Sequence, residues 1–214
     1  GVEPCHSFDH EGVHFVILDT SRWETSAEWI EKSGYVDWVR RDLGKHRGAR
    51  LTVVVYHKPF WYATLADGLP DPMHEIFREY GVDAVFNGHF HVYGSATYDG
   101  IRYTIVGSSG GAIDREDAAR GSFFHFAWCA VRGDSLDWEI VKLDGLLGRD
   151  EITVADEKLL DGIEDELVRP GRFLDPGMGS EGVLAYDVRN PLAEPWTYEV
   201  SWDASPGGAI SPVV

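Results

Sequence analysis

Leu51-Thr52-Val53-Val54-Val55-Tyr56-His57-Lys58-Pro59 is the stretch that decides the fold. Its β-branched, almost uninterrupted apolar run reads as a strand buried on both faces, as in parallel sheets covered by other layers. Pro59 has no N–H with which to continue a ladder, so the strand ends at its histidine. Outward from it, Gly12 to Asp19 (GVHFVILD) reads as a second buried strand and Asp83 to Asn87 (DAVFN) as a third. Between these strands Val36, Val39 and Leu43 recur at helical spacing before Gly44. Asp71 to Tyr80 predicts another helix, with Asp71 to cap it, Pro72 in its first turn and Gly81 at its end. Ile101 to Val106, Phe123 to Val131 and Leu136 to Leu143 predict further strands, with turns at Asp99-Gly100 and Gly133-Asp134. Helices alternate with strands first, and strands then follow strands. The pattern is a layered α/β fold that finishes in antiparallel hairpins.

The 214 residues include 43% hydrophobic and 13% aromatic side chains, enough for a sizeable core and too many for a disordered polymer. No apolar run approaches the roughly 18–20 residues that span a bilayer, and Gly1 to His6 show no signal-peptide pattern. A net charge of −17 repels polyanions, so no nucleic-acid polymer is expected as a partner. Cys5 and Cys129 stand too far apart in sequence to suggest a disulfide framework or a zinc knuckle. Acid concentrates towards the end of the chain. Residues 1–150 carry 23 acidic and 15 basic side chains, whereas 151–214 carry 13 and 4. Three regions are therefore expected: 1–145 as the layered domain, 146–182 as an acidic helical linker, and 183–214 as the start of a β-sandwich-like module. Within them, Ala155 to Val168 reads as a helix, Gly171 to Gly182 as a connection, and 183–188 and 197–202 as half-buried strands.

Ligands of open α/β sheets gather beyond the carboxyl ends of the strands. His57 ends one strand, and His89 and His91 follow another in Asn87-Gly88-His89-Phe90-His91. In an extended segment, side chains two apart point the same way, and Gly88 permits a sharp turn. Imidazoles so placed suit zinc, iron and related transition ions, although each histidine alone would read as a packed or surface residue. Phe60, Trp61, Tyr62 and Tyr93 adjoin these positions, either as a rim on which an organic group stacks or as ordinary loop packing. Asp19 ends a strand too, and a turn contact is its expected role. Gly107-Ser108-Ser109-Gly110-Gly111 fits a nucleophile-elbow pattern, but no amphipathic helix follows it. It is expected to be a glycine-rich loop. His6, His10, His14, His46, His74 and His125 show no paired arrangement in sequence.

Val-Val-Val-Tyr-His57-Lys-Pro, Asn-Gly-His89-Phe-His91-Val-Tyr and Ile-Arg-Tyr-Thr-Ile-Val-Gly-Ser-Ser-Gly-Gly, in this order, resemble the calcineurin-like metallophosphoesterases. The preceding Ser7-Phe-Asp-His-Glu-Gly-Val-His-Phe-Val-Ile-Leu-Asp-Thr20 also resembles the family's strand ahead of that histidine motif, so the resemblance runs from Ser7 to Leu143. It implies an αββα sandwich of two sheets and a dinuclear centre of divalent or trivalent transition metals (Mn, Fe or Zn). By the resemblance, His57 and His89 would hold one metal and His91 the other. The implied activity is hydrolysis of phosphate mono- or diesters.

The family also uses Asp-x-His, Gly-Asp-x-x-Asp or its tyrosine variant, and Gly-Asn-His-Asp/Glu. None of these occurs here. They would supply the bridging carboxylate, the asparagine ligand and the general-acid histidine, so the catalytic acid is expected in an upstream segment. This chain is then the C-terminal half of a site, inactive alone, and its partners are the upstream and downstream segments and a phosphoester. The rival expectation is a non-catalytic scaffold or binding module of a multidomain surface protein. The appended module leans towards an exported or cell-surface setting.

Overall fold

The computed structural model describes residues 4–113, 117–169, 173–174, 183–184 and 187–188. The chain forms two units, Gly1–Leu159 and Leu160–Val214.

The first unit is built on a six-stranded sheet. Its strands are β1 (His6–His10), β2 (Val13–Leu18), β3 (Leu51–Tyr56), β4 (Ala84–Asn87), β5 (Tyr93–Tyr98) and β6 (Ile101–Val106). Their spatial order is β1-β2-β3-β4-β6-β5. β2, β3, β4 and β6 run parallel, while β1 and β5 are antiparallel edges. The parallel centre thus places the carboxyl ends of β2, β3 and β4 side by side.

Alternation along β3 assigns its two faces. Val54 and Tyr56 join the core beneath α1 (Ser26–Lys32), α2 (Val36–Lys45) and α3 (Pro72–Tyr80), whose Trp29, Val39, Leu43, Ile76 and Phe77 pack there. Leu51 and Val53 face the other way, against Leu136, Trp138 and Ile140. These three belong to a second sheet of β7 (His125–Arg132), β8 (Ser135–Lys142) and β9 (Gly145–Gly148), which is antiparallel throughout. Each fully buried side chain of this size contributes about 1.5–3 kcal/mol by leaving water, so two packed faces explain why β3 needs no polar alternation. The layered α/β architecture is the one the sequence pattern led to, and the two sheets are those the resemblance implied.

The local signals act as capping chemistry requires. Asp71 accepts hydrogen bonds from the N–H groups of Met73 and His74, both at 2.9 Å, and Gly81 closes α3 at φ 74°. α1, β1, β5 and β9 were not among the elements the sequence predicted. Two of these four, β1 and β5, are edges of the large sheet, and β9 is an edge of the small one. Ile152 and Val154 are buried in the first unit, and the Ser95 N–H donates to the Ile152 carbonyl at 3.2 Å.

α4 (Val154–Leu167) follows. The second unit also contains two short antiparallel ladders, Val168–Arg169 with Asp187–Val188 and Phe173–Leu174 with Val183–Leu184. The connection expected over 171–182 contains the strand Phe173–Leu174, while the rest of it and the strand expected over 197–202 lie outside the described residues. No helix among the described residues is long and apolar enough to cross a membrane.

Candidate metal centre

His57 directly follows β3, and His89 and His91 follow β4. The two strand ends are tied together at several points. The Gly88 N–H donates to the His57 carbonyl at 3.0 Å. The Asn87 side-chain NH2 donates to the Tyr56 carbonyl at 2.9 Å, while the Trp61 indole N–H donates to Asn87 Oδ1 at 2.7 Å. All three residues are buried, so these bonds fix the position from which the histidine loop departs.

The loop is not the extended segment its sequence suggested. His89 has φ 77° and His91 φ 55°, both in the left-handed region. Histidine visits that region more readily than most residues, yet the conformation carries a strain of about 1–3 kcal/mol for each non-glycine residue. The turn therefore comes from the histidines themselves, and Gly88 is absent from the positive-φ glycines.

His89 Nδ1 stands 3.3 Å from His57 Nε2, with the rings edge to face. Burial, followed by neighbouring His57 and Lys58, holds the His89 imidazole below its ordinary range. A lowered value favours the neutral ring that binds metals. His91 Nδ1 donates to the Ala112 carbonyl at 2.7 Å, which leaves Nε2 as its donor atom for a ligand. The Ser108 hydroxyl, fully buried, donates to the His91 carbonyl. Gly107 is required beside it, because a Cβ there would lie 2.7 Å from the backbone N and Cα of His91. The glycine-rich loop after β6 thus supports the histidine loop. Among the described residues after Ser108, the first helical segment is a short 3-10 turn at Ala118–Arg120.

The aromatic neighbours divide. Phe60, Trp61 and Tyr93 are 5%, 1% and 1% exposed, so the rim expected from these three is corrected: their rings are core. Short apolar loops beside a strand end pack under the sheet when an internal partner, here Asn87 for Trp61, satisfies the polar edge. Tyr62 is half-buried and meets the exposed Phe90 ring edge to face at 5.1 Å. Asp19 takes the turn role, accepting from the Ser21 N–H at 2.9 Å and the Ser21 hydroxyl at 2.6 Å. These bonds hold its carboxyl below the usual carboxylate range. Lys58 pairs with Glu24 at 2.5 Å. A depression of ≈ 430 Å³ opens beside the strand ends, lined in part by Ile17, Val55, His57, Phe86 and Gly88.

The donor chemistry of this cluster fits a borderline transition ion, with two facing imidazoles and a third on the same loop. Among the described residues no carboxylate joins these three histidines in a set of donors within 4.8 Å of one another. Among the described residues, the set of three donors drawn together within 4.8 Å is Asp9, His14 and His46. Those residues gave no sequence signal, because strand β1 and helix α2 bring them to His14 from different segments.

The histidines thus stand at the ends of adjacent parallel strands. No family model matches the chain. Purple acid phosphatase 15 of Arabidopsis thaliana is 31% identical over 121 residues, 49% of this chain and 22% of that protein. Purple acid phosphatase 23 of the same plant is 30% identical over 95 residues, 41% of this chain and 20% of that protein. The chain spans about a fifth of the length of these curated relatives. The resemblance to the calcineurin-like metallophosphoesterase superfamily therefore holds over part of the chain. Among solved structures, a purple acid phosphatase from yellow lupin (Lupinus luteus) seeds aligns with TM-score 0.49 and 17% identity, covering 69% of this chain and 33% of that one. A putative 5'-nucleotidase from Staphylococcus aureus aligns with TM-score 0.37 and 18% identity, covering 81% and 36%.

Proposed function

We propose that His57, His89 and His91 are ligands of a metal centre that hydrolyses phosphate mono- or diesters, with its remaining ligands contributed by an upstream segment. The supporting observation is the left-handed backbone of both His89 and His91, which brings a strained loop to within 3.3 Å of His57. Strain of this kind persists where the surroundings over-determine it and gathers at functional sites. Bound cations would supply Lewis acidity towards a phosphoryl oxygen and a more acidic water. This chain's own part is to hold the imidazoles in place: Ala112 fixes the His91 ring, and Asn87 with Trp61 fixes the strand end. Tyr62 and Phe90 would offer an aromatic wall to the organic group of the ester. The centre is read as dinuclear by resemblance, with His57 and His89 on one metal and His91 on the other, and Mn, Fe or Zn as the ions.

The missing carboxylate gives this reading its limit and its test. Alone, the chain is expected to bind ions weakly here and to turn over no phosphoester. Extended by its upstream segment, it should cleave a chromogenic phosphate ester in a metal-dependent way, and His89→Ala should abolish turnover. Absence of metal-dependent turnover in the extended protein overturns the proposal. The same donor deficit favours one rival, a phosphoesterase scaffold kept for binding, which requires degraded Asp-x-His and Gly-Asn-His motifs upstream.

A further inference from the structure

A second group of donors sits at the opposite end of the sheet, where β2 begins and α2 ends. His14, 1% exposed, projects from β2 on the helix-facing side. Its Nε2 meets Asp42 Oδ2 at 2.9 Å, and its Nδ1 meets Asp9 Oδ1 at 2.8 Å. The ring of His46 stacks on it with centroids 3.8 Å apart. His46 Nδ1 lies 2.8 Å from the Asp42 carbonyl, and its Nε2 lies 3.8 Å from Asp9 Oδ2.

The partners fix one N–H on each ring. A carbonyl only accepts, so His46 donates from Nδ1 and keeps its lone pair on Nε2, towards Asp9. Asp42 is anchored, because Ser7 donates to its Oδ1 at 2.9 Å and its side chain is 12% exposed. It accepts from His14 Nε2–H, and the 2.8 Å contact of His14 Nδ1 with Asp9 is closed by a proton that an entering ion would displace. Each histidine therefore has one ring nitrogen held by an oxygen of Asp42 and the other facing the Asp9 carboxylate. That arrangement orients histidines for metal ligation. Asp9 is 60% exposed and can swing to admit an ion. The C-terminus of α2, which His46 caps, adds negative partial charge.

We propose that Asp9, His14 and His46 bind one zinc-class divalent transition ion, with Asp42 as the positioning residue behind both rings. Two nitrogens and a carboxylate oxygen select zinc, cobalt, nickel or copper over calcium and magnesium. The stacked rings, 14° from parallel, cannot both aim a lone pair at one ion as they stand. His46, 31% exposed, must tilt when the ion enters, while buried His14 stays. The ion would pin the β1–β2 hairpin to α2, so the site is structural in kind and distinct from the strand-end histidines.

The test is zinc titration calorimetry on the full chain carrying His57→Ala, His89→Ala and His91→Ala, which silences the other cluster. One ion per chain is expected to remain. Adding Asp9→Asn or His46→Gln, both at accessible positions, should each weaken it at least about tenfold, as loss of a ligand or its support does. No binding in the triple variant, or unchanged affinity after both further substitutions, overturns the proposal and leaves a hydrogen-bonded clamp only. Should the triple variant unfold, native mass spectrometry of the unaltered chain decides: His46→Gln must lower the zinc stoichiometry by one, and equal stoichiometry overturns the proposal.

Discussion

Adding a single methyl group at Gly107 is expected to damage the histidine loop while leaving the sheet intact. The new Cβ would stand 2.7 Å from both N and Cα of His91 and 3.0 Å from the Val92 nitrogen. These are backbone atoms, and carbon contacts settle at about 3.5–4.0 Å, so the loop must retreat by about 1 Å. Overpacking of this sort costs about 1–3 kcal/mol. The His91 ring is also carried away from the Ala112 carbonyl that orients it. Loss of such an orienting contact lowers metal affinity about 10–100-fold. Gly110→Ala is the matched control, because nothing lies within 4 Å of its added carbon. Zinc titration followed by imidazole 1H–15N spectra reads each histidine separately. Gly107→Ala should blunt the His91 response and lower the melting temperature, and Gly110→Ala should do neither. A folded Gly107→Ala protein whose His91 titrates like the unaltered chain would falsify the view that this glycine is needed for the loop's position.

Other consequences can be checked individually. Asp71→Ala removes the acceptor for two helix N–H groups and should cost about 0.5–2 kcal/mol in urea unfolding. Trp61→Phe removes the buried donor to Asn87 and should cost about 1 kcal/mol, with His89 signals broadened as the strand end loosens. His125 is held below its ordinary value by burial, and its Nε2 has no hydrogen-bond partner among the described residues. The unfolded chain therefore takes up this proton at higher pH than the folded one. Its contribution is fully present above the free-imidazole value of about 6.5 and is lost as pH falls through the folded one. His125→Asn should flatten that acid limb of the stability profile, and an unaltered slope would exclude His125 as its source.

Much of the fold was legible because burial on both faces leaves a plain mark. β3 and β6 occupy the residues their apolar runs indicated, and α3 lies between its cap and its glycine. Edge strands β1, β5 and β9 were harder to see, since pairing on one side and partial exposure relax the demand on composition. Chemistry was legible in the same uneven way. His57 and His89 could be paired in advance because each terminates a buried strand, and parallel pairing of β3 with β4 brings such ends together. Sequence proximity misled for the aromatics: Phe60, Trp61 and Tyr93 adjoin the histidines along the chain, yet a few residues suffice to turn their side chains under the sheet.

Composition and periodicity thus determined the layered α/β arrangement, the acidic character and the strand ends that carry imidazoles, since each is written in contiguous residues. Only tertiary structure decided that His89 and His91 are turned by positive φ, that Gly107 makes room for them, and that Asp9, His14, Asp42 and His46 meet. The physical reason is the same each time. Backbone strain, close approach and side-chain clustering depend on which segments pack together, and no local pattern encodes a neighbour that is dozens of residues away.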